Sequence, residues 1–447
     1  MNPETAPHRN PINRRLFLGG GLLASSAVIA GCGKPHVAVR QAGSRPDPTV
    51  AAGTDLVPDV DHIVIVMMEN HSFDNILGTL GRGDGFTIGG DGKPTAQNPN
   101  DHGEVVHAFH MPTECQTTGV FNDWKAAHLA YDHGTCQGFV RSGTAEAMGY
   151  FTEQDLPFTC SMARTFPIAD RYFCSVMAQT YPNRRYLIAG TSLGLIDDTL
   201  PTALPPNGVI FQQLDNYEIT WKDYYTTTPT LGVFIPLLGD SHLSSGLVKI
   251  DEFYDDAATG NLPSVSLLEP NYEIQSEEDP QDVQYGDAFM ATVVDAVMSS
   301  PNWSSTMLIW TYDEHGGYYD HVPPPPAVEP DDVKPDLDSG DPPGAFNQYG
   351  FRVPAGVVSP YARANFVSHT VYDHTSILKT IEEKWNIPSL TRRDANANSM
   401  FDMLDLGSPP AFLTPPSLHP PPDPALKAGC LMTGAGTIPP PSAVTDT

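Results

Sequence analysis

Short, continuous apolar runs that end abruptly in polar residues dominate the hydrophobic pattern of this chain. The run at 62–68 is rich in isoleucine and valine, which is typical of a strand buried on both faces. It stops at Glu69 and Asn70, and the polar side chains of Ser72 and Asp74 are suited to starting a helix. Open α/β sheets bind ligands at the carboxyl ends of their strands, so this junction is the first candidate functional site.

The same strand–turn–helix pattern recurs along the chain. Further strands are predicted at 171–177, 265–268, 306–312 and 353–358, with helices within 122–138 and at 184–189 and 375–385. Phe289, Val293 and Val297, together with Met290 and Val294, form one apolar helical face. Strands that alternate with helices predict an α/β fold with a mostly parallel central sheet and helices on both faces.

The N-terminal segment has the features of an export signal, which is removed from the mature fold. Arg14 and Arg15 precede a short apolar run and resemble a bacterial twin-arginine signal, which predicts export by that route. Ala30, Gly31 and Cys32 resemble a lipoprotein cleavage box, in which Cys32 becomes the acylated first residue. An ordinary secretory signal with an incidental cysteine is the alternative.

Composition shifts divide the chain into regions. We expect a signal at 1–31, a tether at 32–57, one large catalytic domain at 58–407 and a proline-rich tail at 408–447. The tail should be extended or disordered and lie outside the core, because its composition does not support a packed element.

Disulfides are permitted in an exported protein. Among the six cysteines, the pairs nearest in sequence after the signal are Cys115 with Cys136 and Cys160 with Cys174. Spacing alone leaves the connectivity open, and Cys430 is a candidate for a free thiol.

The composition is strongly acidic. Asp and Glu total 53 against 24 Lys and Arg, which gives a formal net charge of −29. A nucleic-acid-binding surface needs clustered positive charge, so this balance argues against a nucleic-acid partner. It also disfavours electrostatic docking on anionic membranes. A solvated acidic surface is the simplest interpretation.

Oxygen-rich side chains follow three of the predicted strands. Glu69 and Asn70 end the first, Thr180 follows the second, and Asp313 and Glu314 end the third. Carboxylate, amide and hydroxyl oxygens suit a hard divalent cation. Such an ion would lower the pKa of the Thr180 hydroxyl and polarise a phosphoryl oxygen. Adjacent carboxylates would repel one another without a cation, which also favours a metal site.

Several segments together resemble a known family. They are ENHSFD at 69–74, SVMAQTYPNRR at 175–185, EPNY at 269–272, YDEHGGYYDHVPPP at 312–325 and DHTSILKTIEEKW at 373–385. These segments look like those of the bacterial phospholipase C and acid phosphatase phosphoesterase family, in the alkaline-phosphatase-like superfamily, and they follow the family order. The resemblance implies an alkaline-phosphatase-like sandwich and a metal-dependent phosphoesterase with a phospho-enzyme intermediate.

By motif position, the resemblance implies that Glu69, Asn70, Asp313 and Glu314 bind one divalent metal ion of unknown identity. It also implies that Thr180 contacts this ion and is the nucleophile that becomes phosphorylated.

A competing hydroxyl lies close to Thr180 in sequence. Thr180 precedes a predicted helix whose start fits Pro182, so helix N–H groups and the metal could both stabilise charge on a phosphate. Ser175 lies inside the predicted strand at 171–177, where its side chain is harder to aim at the site.

Histidines are candidates for holding phosphate oxygens or protonating the leaving alkoxide, because histidine titrates near neutrality. The candidates are His128, His315, His321 and His374. A structural or surface role is the alternative for each of them. Glu269 and Asn271 are predicted to shape the pocket rather than to bind metal. The family usually carries Arg at the position of His71, a departure that concerns the substrate pocket.

The leading functional hypothesis is a lipid-anchored, exported phospholipase C, either held in the cell envelope through acylated Cys32 or secreted. It would hydrolyse phospholipids such as phosphatidylcholine to diacylglycerol and a phosphorylated head group, through a phosphothreonine. The alternative is an acid phosphatase that acts on phosphate monoesters with the same site, because pocket shape and loops decide between the two. A non-catalytic lipoprotein that binds phosphorylated ligands is the third hypothesis.

Overall fold

The computed structural model describes residues 38–115 and 120–423. The predicted signal at 1–31, with Arg14 and Arg15, and the predicted acylation site Cys32 lie outside these ranges, as does the tail beyond 423. Within the described ranges, no helix is long and apolar enough to cross a membrane.

Twelve strands and twelve α-helices are found in the described ranges. The strands are β1 (His62–Met68), β2 (Gln97–Pro99), β3 (Val105–His107), β4 (Phe109–His110), β5 (Gly149–Tyr150), β6 (Ile168–Ala169), β7 (Trp221–Tyr225), β8 (Leu247–Lys249), β9 (Val265–Leu268), β10 (Thr306–Tyr312), β11 (Ala355–Val358) and β12 (Val367–Ser368). The helices are α1 (Phe73–Leu77), α2 (Trp124–Tyr131), α3 (Phe139–Ser142), α4 (Pro157–Thr165), α5 (Thr180–Ala189), α6 (Ile210–Asn216), α7 (Ile235–Leu238), α8 (Ser241–Ser244), α9 (Ile250–Thr259), α10 (Val283–Ser299), α11 (His374–Trp385) and α12 (Arg392–Ala395).

Eight of the strands form one sheet in the order β12-β6-β11-β10-β1-β9-β7-β8. β1 pairs in parallel with β10 and β9, and β7 pairs in parallel with β9 and β8. β11 is antiparallel to both of its neighbours, and β12 is parallel to β6. The predicted α/β fold with a mostly parallel central sheet is therefore confirmed.

The centre of the sheet is buried on both faces. Every residue of β10 is buried, and so is every residue of β1 after His62. Successive side chains of a strand point to opposite faces, so complete burial means that both faces are covered. The continuous apolar runs that predicted these strands reflect this double burial.

Several predicted bounds agree with the structure. The strands predicted at 62–68, 265–268 and 306–312 have the same bounds as β1, β9 and β10. The predicted apolar helical face lies on α10, where all five of its residues are buried. Ser72 accepts a hydrogen bond from the Asn75 N–H at the start of α1, as its side chain suggested.

The strand predicted at 171–177 is wrong. Within this segment, Tyr172 and Phe173 form only isolated bridges, and the following residues bend away from the sheet. The Asn183 side chain accepts a hydrogen bond from the Val176 N–H at 3.1 Å and donates to the Val176 carbonyl at 3.3 Å. Asn183 thus provides hydrogen bonds that a neighbouring strand would otherwise provide. The segment can therefore be a buried loop even though its apolar sequence is typical of a strand.

The helix predicted at 184–189 begins earlier, at Thr180, so the prediction that Pro182 starts it is wrong. Pro182 is the third residue of α5. The first N–H groups of a helix have no partner within it, so proline still costs no hydrogen bond there. Thr180 consequently lies in the first turn of the helix rather than before it.

Both predicted end regions contact the domain where they are described. Asp47 N–H donates to Asn386 Oδ1 at 2.9 Å, and Leu56 N–H donates to the Lys384 carbonyl at 2.7 Å. In the tail, Phe412 packs against Phe166 with a ring separation of 4.8 Å. The described part of the tail, 408–423, has no helix, strand or buried residue, as expected for an extended segment, but Phe412 and Leu418 pack against the core.

Both sequence-adjacent cysteine pairs are excluded. Cys115 is in a disulfide, whereas Cys136, Cys160 and Cys174 are buried free thiols. Cys160 and Cys174 lie in the same hydrophobic core and are still unpaired, because proximity in sequence does not bring two sulfur atoms to bonding distance.

Candidate active site

Two parallel strands bring the predicted metal ligands together. β1 and β10 pair in register up to Met68 and Tyr312, so the residues that follow each strand leave the sheet side by side. The Asn70 N–H donates a hydrogen bond to Asp313 Oδ1 at 3.2 Å. Glu69, Asn70, Asp313 and Glu314 are all buried. The sheet register thus joins side chains separated by more than two hundred residues of sequence.

The turn after β10 packs closely on the turn after β1. Asn70 has a φ of 69°, an uncommon left-handed conformation for a residue with a side chain. At Gly316, φ is 66°, and an added Cβ would lie 1.8 Å from the Asn70 carbonyl oxygen. Glycine is required here because the backbones approach too closely for any side chain. Gly316, the first glycine of the GG pair in the sequence motif, therefore allows this close contact.

Glu314 is held by donors on both carboxylate oxygens. Asn122 Nδ2 donates to Oε1 at 2.6 Å, and the Gly316 N–H donates to Oε2 at 2.8 Å. Asn122 immediately precedes the N-cap residue of α2, Asp123, so that helix delivers its amide to the site. Asn122 was not predicted as a site residue, because it lies outside the segments that resemble the family.

Arg184 is the central site residue that sequence reasoning missed. Its guanidinium lies 3.4 Å from Glu69 Oε1, 2.7 Å from Glu269 Oε2 and 3.1 Å from Asp313 Oδ2. It also lies over the ring of Tyr272, 5.1 Å from the centroid. Glu269, which we expected to shape the pocket, does so by binding this buried cation.

Thr180 lies on the same side of α5 as Arg184. Residues four apart share a helix face, so this spacing places Thr180 and Arg184 on one side of the helix. This spacing was the available sequence signal for Arg184. Ser175, the competing hydroxyl, is buried and donates to Asp373 Oδ2 at 2.9 Å. Its hydroxyl proton is therefore already used in a buried hydrogen bond.

A further carboxylate binds the start of α5. Asp198 Oδ1 accepts from the Tyr181 N–H at 2.8 Å, and Asp198 Oδ2 accepts from Gln179 Nε2 at 3.0 Å. An exposed anion at a helix N-terminus is stabilised by the free N–H groups and the helix dipole. Asp198 therefore marks an anion-binding position next to Thr180.

Burial raises the pKa values of the clustered carboxylates. It raises the pKa of Glu69 well above its usual range, where Arg184 opposes the rise and Asp313 and Glu278 add to it. Burial, opposed by Arg184 and reinforced by Glu314, raises the pKa of Asp313 to about 7. Burial also raises the pKa of Glu314 to about 8. The site is therefore an environment in which additional positive charge is strongly favoured.

Two of the candidate histidines lie next to the predicted metal ligands Asp313 and Glu314. His374 Nε2 lies 2.6 Å from the Asp313 carbonyl oxygen, and His315 Nδ1 lies 3.1 Å from Glu314 Oε2. Burial lowers the pKa of each ring to about 3, so both are neutral near pH 7. His315 is enclosed by aromatic rings, including that of Phe351 at 4.7 Å.

His128 makes its contacts within α2. Its Nδ1 lies 2.7 Å from the Trp124 carbonyl oxygen, and the two rings are 4.1 Å apart. Burial lowers the pKa of His128. These contacts anchor the ring to its own helix rather than to the carboxylates at the strand ends.

His321 belongs to a second charged cluster, which consists of Asp74, Asp320, His321 and Arg352. His321 Nδ1 lies 2.6 Å from Asp74 Oδ2. Arg352 binds Asp320 through Nε at 2.8 Å and Asp74 through Nη2 at 3.1 Å. The carboxylates and the histidine offer ligand atoms within 4.8 Å of one another, so this group could hold a metal ion.

The second cluster is already close to charge balance. Burial lowers the pKa of His321, but the hydrogen bond that His321 donates to Asp74 and the charges of Asp74 and Asp320 outweigh this effect and raise the pKa to about 9. A protonated His321 and Arg352 then offset both carboxylates near pH 7. A metal ion is not needed to neutralise this group.

The chain belongs to the Phosphoesterase family, whose family model matches residues 60–388. Phospholipase C A of Mycobacterium tuberculosis is 31% identical over 420 residues, covering 81% of this chain and 80% of that protein. Non-specific phospholipase C1 of Arabidopsis thaliana is 32% identical over 375 residues, covering 75% of this chain and 69% of that protein. This chain is a hydrolase acting on phosphoester bonds.

Two further similarities are more distant or more partial. The non-hemolytic phospholipase C of Pseudomonas aeruginosa is 30% identical over 376 residues, covering 74% of this chain and 54% of that protein. A solved structure of a protein in the alkaline phosphatase superfamily from Vibrio parahaemolyticus has a TM-score of 0.40 and 9% identity, covering 80% of this chain and 72% of that one.

Replacing His321 with Gln should destabilise the protein by an amount that depends on pH. A pKa raised from 6.5 to about 9 on folding means that the stabilisation is fully present below pH 6.5 and lost as pH rises through about 9. We expect a difference in unfolding free energy on the order of a few kcal/mol at the acidic end of that window, shrinking toward its alkaline end. Denaturant unfolding of wild type and His321→Gln across this range measures it.

His369→Gln is the matched control, because His369 also binds a carboxylate, Asp170, but is 73% exposed. An ion pair this exposed should contribute little to stability, so His369→Gln should cost little at any pH tested. A His321→Gln difference that stays constant across the window would contradict the proposed pairing.

Proposed function

We propose that this protein is an exported, metal-dependent phospholipase C that forms a phosphothreonine at Thr180. The observation that carries the proposal is the position of Thr180 on the same face of α5 as Arg184, whose guanidinium contacts Glu69, Glu269 and Asp313. The names of the bacterial and plant relatives support a phospholipid substrate.

The residues at the strand ends fit one divalent metal ion. Glu69 Oε2 and Asn70 Oδ1 are buried and accept no hydrogen bond from the described residues, so each offers lone pairs. Together with Asp313 and Glu314, they form a set of hard oxygen donors of the kind that divalent cations prefer. When bound, such an ion would polarise a phosphoryl oxygen and lower the pKa of the Thr180 hydroxyl.

The chain's own residues then perform a two-step displacement. Thr180 Oγ loses its proton and forms a bond to phosphorus, while the bond from phosphorus to the glycerol oxygen breaks. Diacylglycerol leaves after its oxygen takes up a proton. Water next attacks the phosphothreonine, restores the hydroxyl and releases the phosphorylated head group. The dipole of α5 favours negative charge at the start of the helix, where Asp198 already accepts the Tyr181 N–H.

The neutral histidines suit positioning more than proton donation. His374 Nε2 contacts the backbone carbonyl of Asp313, whereas His315 lies beside the Glu314 carboxylate without a hydrogen bond. His321 has a raised pKa and is the candidate that carries a proton near pH 7, but it is bound to Asp74. His128 stays the fourth candidate.

An acid phosphatase that uses the same site is the second candidate function, because nothing in the carboxylate set distinguishes a diester from a monoester. A non-catalytic phosphate-binding lipoprotein is less favoured, since Thr180 and the predicted metal ligands are all retained. The deciding assay compares purified protein on phosphatidylcholine, other phospholipids and p-nitrophenyl phosphate. Release of diacylglycerol with little monoester turnover supports the proposal, and the reverse result supports a phosphatase.

Thr180→Ala should keep the fold and bound metal but lose nearly all turnover, because no other hydroxyl replaces the nucleophile. We expect a fall of about a thousandfold or more, with a measurable rate remaining in Thr180→Ser. Rapid acid quench followed by peptide mapping should locate phosphate on Thr180 in the wild type.

Ser175→Ala is the control for this experiment, because Ser175 is the nearest competing hydroxyl in the sequence motif and donates to Asp373. Its cost should be within about tenfold, as expected for a lost buried hydrogen bond rather than a lost nucleophile. Phosphate on Ser175, or full activity in Thr180→Ala, would overturn the assignment.

Chelation should abolish activity, and Asp313→Asn should sharply lower the metal content of the purified protein. His321→Gln should retain that content, because it alters only the second cluster. Elemental analysis of the three proteins, together with thermal unfolding with and without added metal, makes the comparison. Metal retained by Asp313→Asn but lost from His321→Gln would place the ion with Asp74 and Asp320 instead.

We also propose export by the twin-arginine route and acylation at Cys32, on the basis of Arg14, Arg15 and the Ala30-Gly31-Cys32 box. Replacing both arginines with lysine should block export, whereas the intact protein should partition with membranes. Mass spectrometry of the mature N-terminus checks the modification. An unmodified N-terminus cut at another residue would refute acylation while leaving the enzymatic proposal standing.

A further inference from the structure

Four of the eleven large apolar side chains that are exposed in the described ranges lie on two segments near the start of α5. Leu200 and Leu204 are 37% and 47% exposed, and Ile235 and Leu238 on α7 are 50% and 37% exposed. We call these four side chains the apolar rim. Scattered exposed apolar residues are normal, but a group of large ones on one face marks an interaction surface.

One buried arginine ties both loops to the helix that carries Thr180. Arg185 donates to the Asp197 carbonyl at 3.2 Å and the Thr199 carbonyl at 2.6 Å. Its Nε also donates to the Val233 carbonyl at 3.5 Å. Arg185 follows Arg184 in α5, so the rim loops are fixed to the same helix as the candidate nucleophile.

The same loops reach into the site itself. Asp198, two residues before Leu200, accepts the Tyr181 N–H at the start of α5. Thr230, in the turn that leads to α7, donates a hydrogen bond to Glu269 Oε1. Glu269 is the residue that binds Arg184. The two segments that carry the apolar rim therefore also contribute contacts at the candidate site.

The loops face one another across an open cleft. A cavity of about 530 Å³ is lined by Leu204 from one loop and by Leu237 and Leu243 from the other, together with polar residues. Leu204 reaches solvent at this cleft, whereas Leu237 and Leu243 are buried in its wall.

The charge of the rim loops indicates what kind of lipid surface would fit. Residues 197–207 and 230–245 contain no Lys or Arg, but they contain Asp197, Asp198 and Asp240. The chain as a whole carries a net charge of −29. Anionic lipids would repel such a surface, whereas zwitterionic lipids would not.

We propose that the apolar rim docks on a zwitterionic phospholipid surface and thereby presents the candidate site to lipid head groups. The inference rests on the proposed phospholipase function, because it names how that site reaches an aggregated substrate. Burial of leucine and isoleucine side chains among acyl chains supplies the binding energy. Arg185 hydrogen-bonds to both loops, so it fixes their position relative to α5.

The test uses full-length protein with paired substitutions in the rim, Leu200→Ser with Leu204→Ser and Ile235→Ser with Leu238→Ser. All proteins share the same N-terminus, so any lipid on Cys32 is constant among them. Hydrolysis is measured on phosphatidylcholine vesicles and, in parallel, on water-soluble p-nitrophenyl phosphocholine. Each pair should lower vesicle hydrolysis by about tenfold or more and change soluble-ester hydrolysis by less than about twofold.

Leu413→Ser is the matched control, because Leu413 is 54% exposed but lies near the amino end of β10, far from the site at its carboxyl end. Its carbonyl accepts from Trp303 Nε1, just before the start of β10, about 20 Å along that strand from Asp313. It should leave both rates unchanged. Equal losses on both substrates in the rim variants, or no loss on vesicles, would overturn the docking surface.

Vesicle flotation separates this inference from the proposed function. If the wild type hydrolyses only soluble monoesters, the phospholipase proposal fails, yet loss of phosphatidylcholine-vesicle binding in the rim variants would still support docking. Unchanged binding in those variants would refute it. Vesicles that also contain phosphatidylglycerol should bind more weakly at low salt, and stronger binding would refute the preference for a zwitterionic surface.

Discussion

The burial of like charges at one edge of the sheet is the constraint on which the rest of this structure depends. β10, β1 and β9 are adjacent and parallel, so their carboxyl ends meet and deliver Asp313, Glu69 and Glu269 to the same place. Removing carboxylates from water costs several kcal/mol for each ion unless a cation offsets it. Arg184 contacts all three. This contact fixes α5 against the sheet and sets the position of Thr180 one turn earlier.

A second charged cluster holds the loop that leaves β10. Arg352 and His321 offset the charges of Asp74 and Asp320, so α1 is tied to the segment that follows Glu314. The close backbone approach at Gly316 fixes the other end of the same loop. The acidic pair after β10 is therefore held from both sides, which limits the freedom of its carboxylates without help from a ligand.

The surface around the site combines acidic loops with exposed apolar side chains. An acidic chain gains nothing from electrostatic attraction to anionic membranes, so contact with lipid depends on apolar burial. Arg185 and Arg184 are neighbours on α5, and one organises the surface loops while the other organises the buried carboxylates. A single helix thus links the inferred lipid contact to the candidate chemistry.

The sequence by itself determined the central strands, the fold class and the polar residues that end each strand, because double burial and strand ends leave local patterns. It did not reveal that 171–177 is a loop, since the side chain of Asn183 replaces a strand partner and leaves the apolar pattern unchanged. Tertiary structure alone decided the partners of Arg184, the separate cluster of His321 and the exclusion of the neighbouring cysteine pairs. These features depend on contacts between residues far apart in sequence, and the local pattern of hydrophobic and polar residues does not show such contacts.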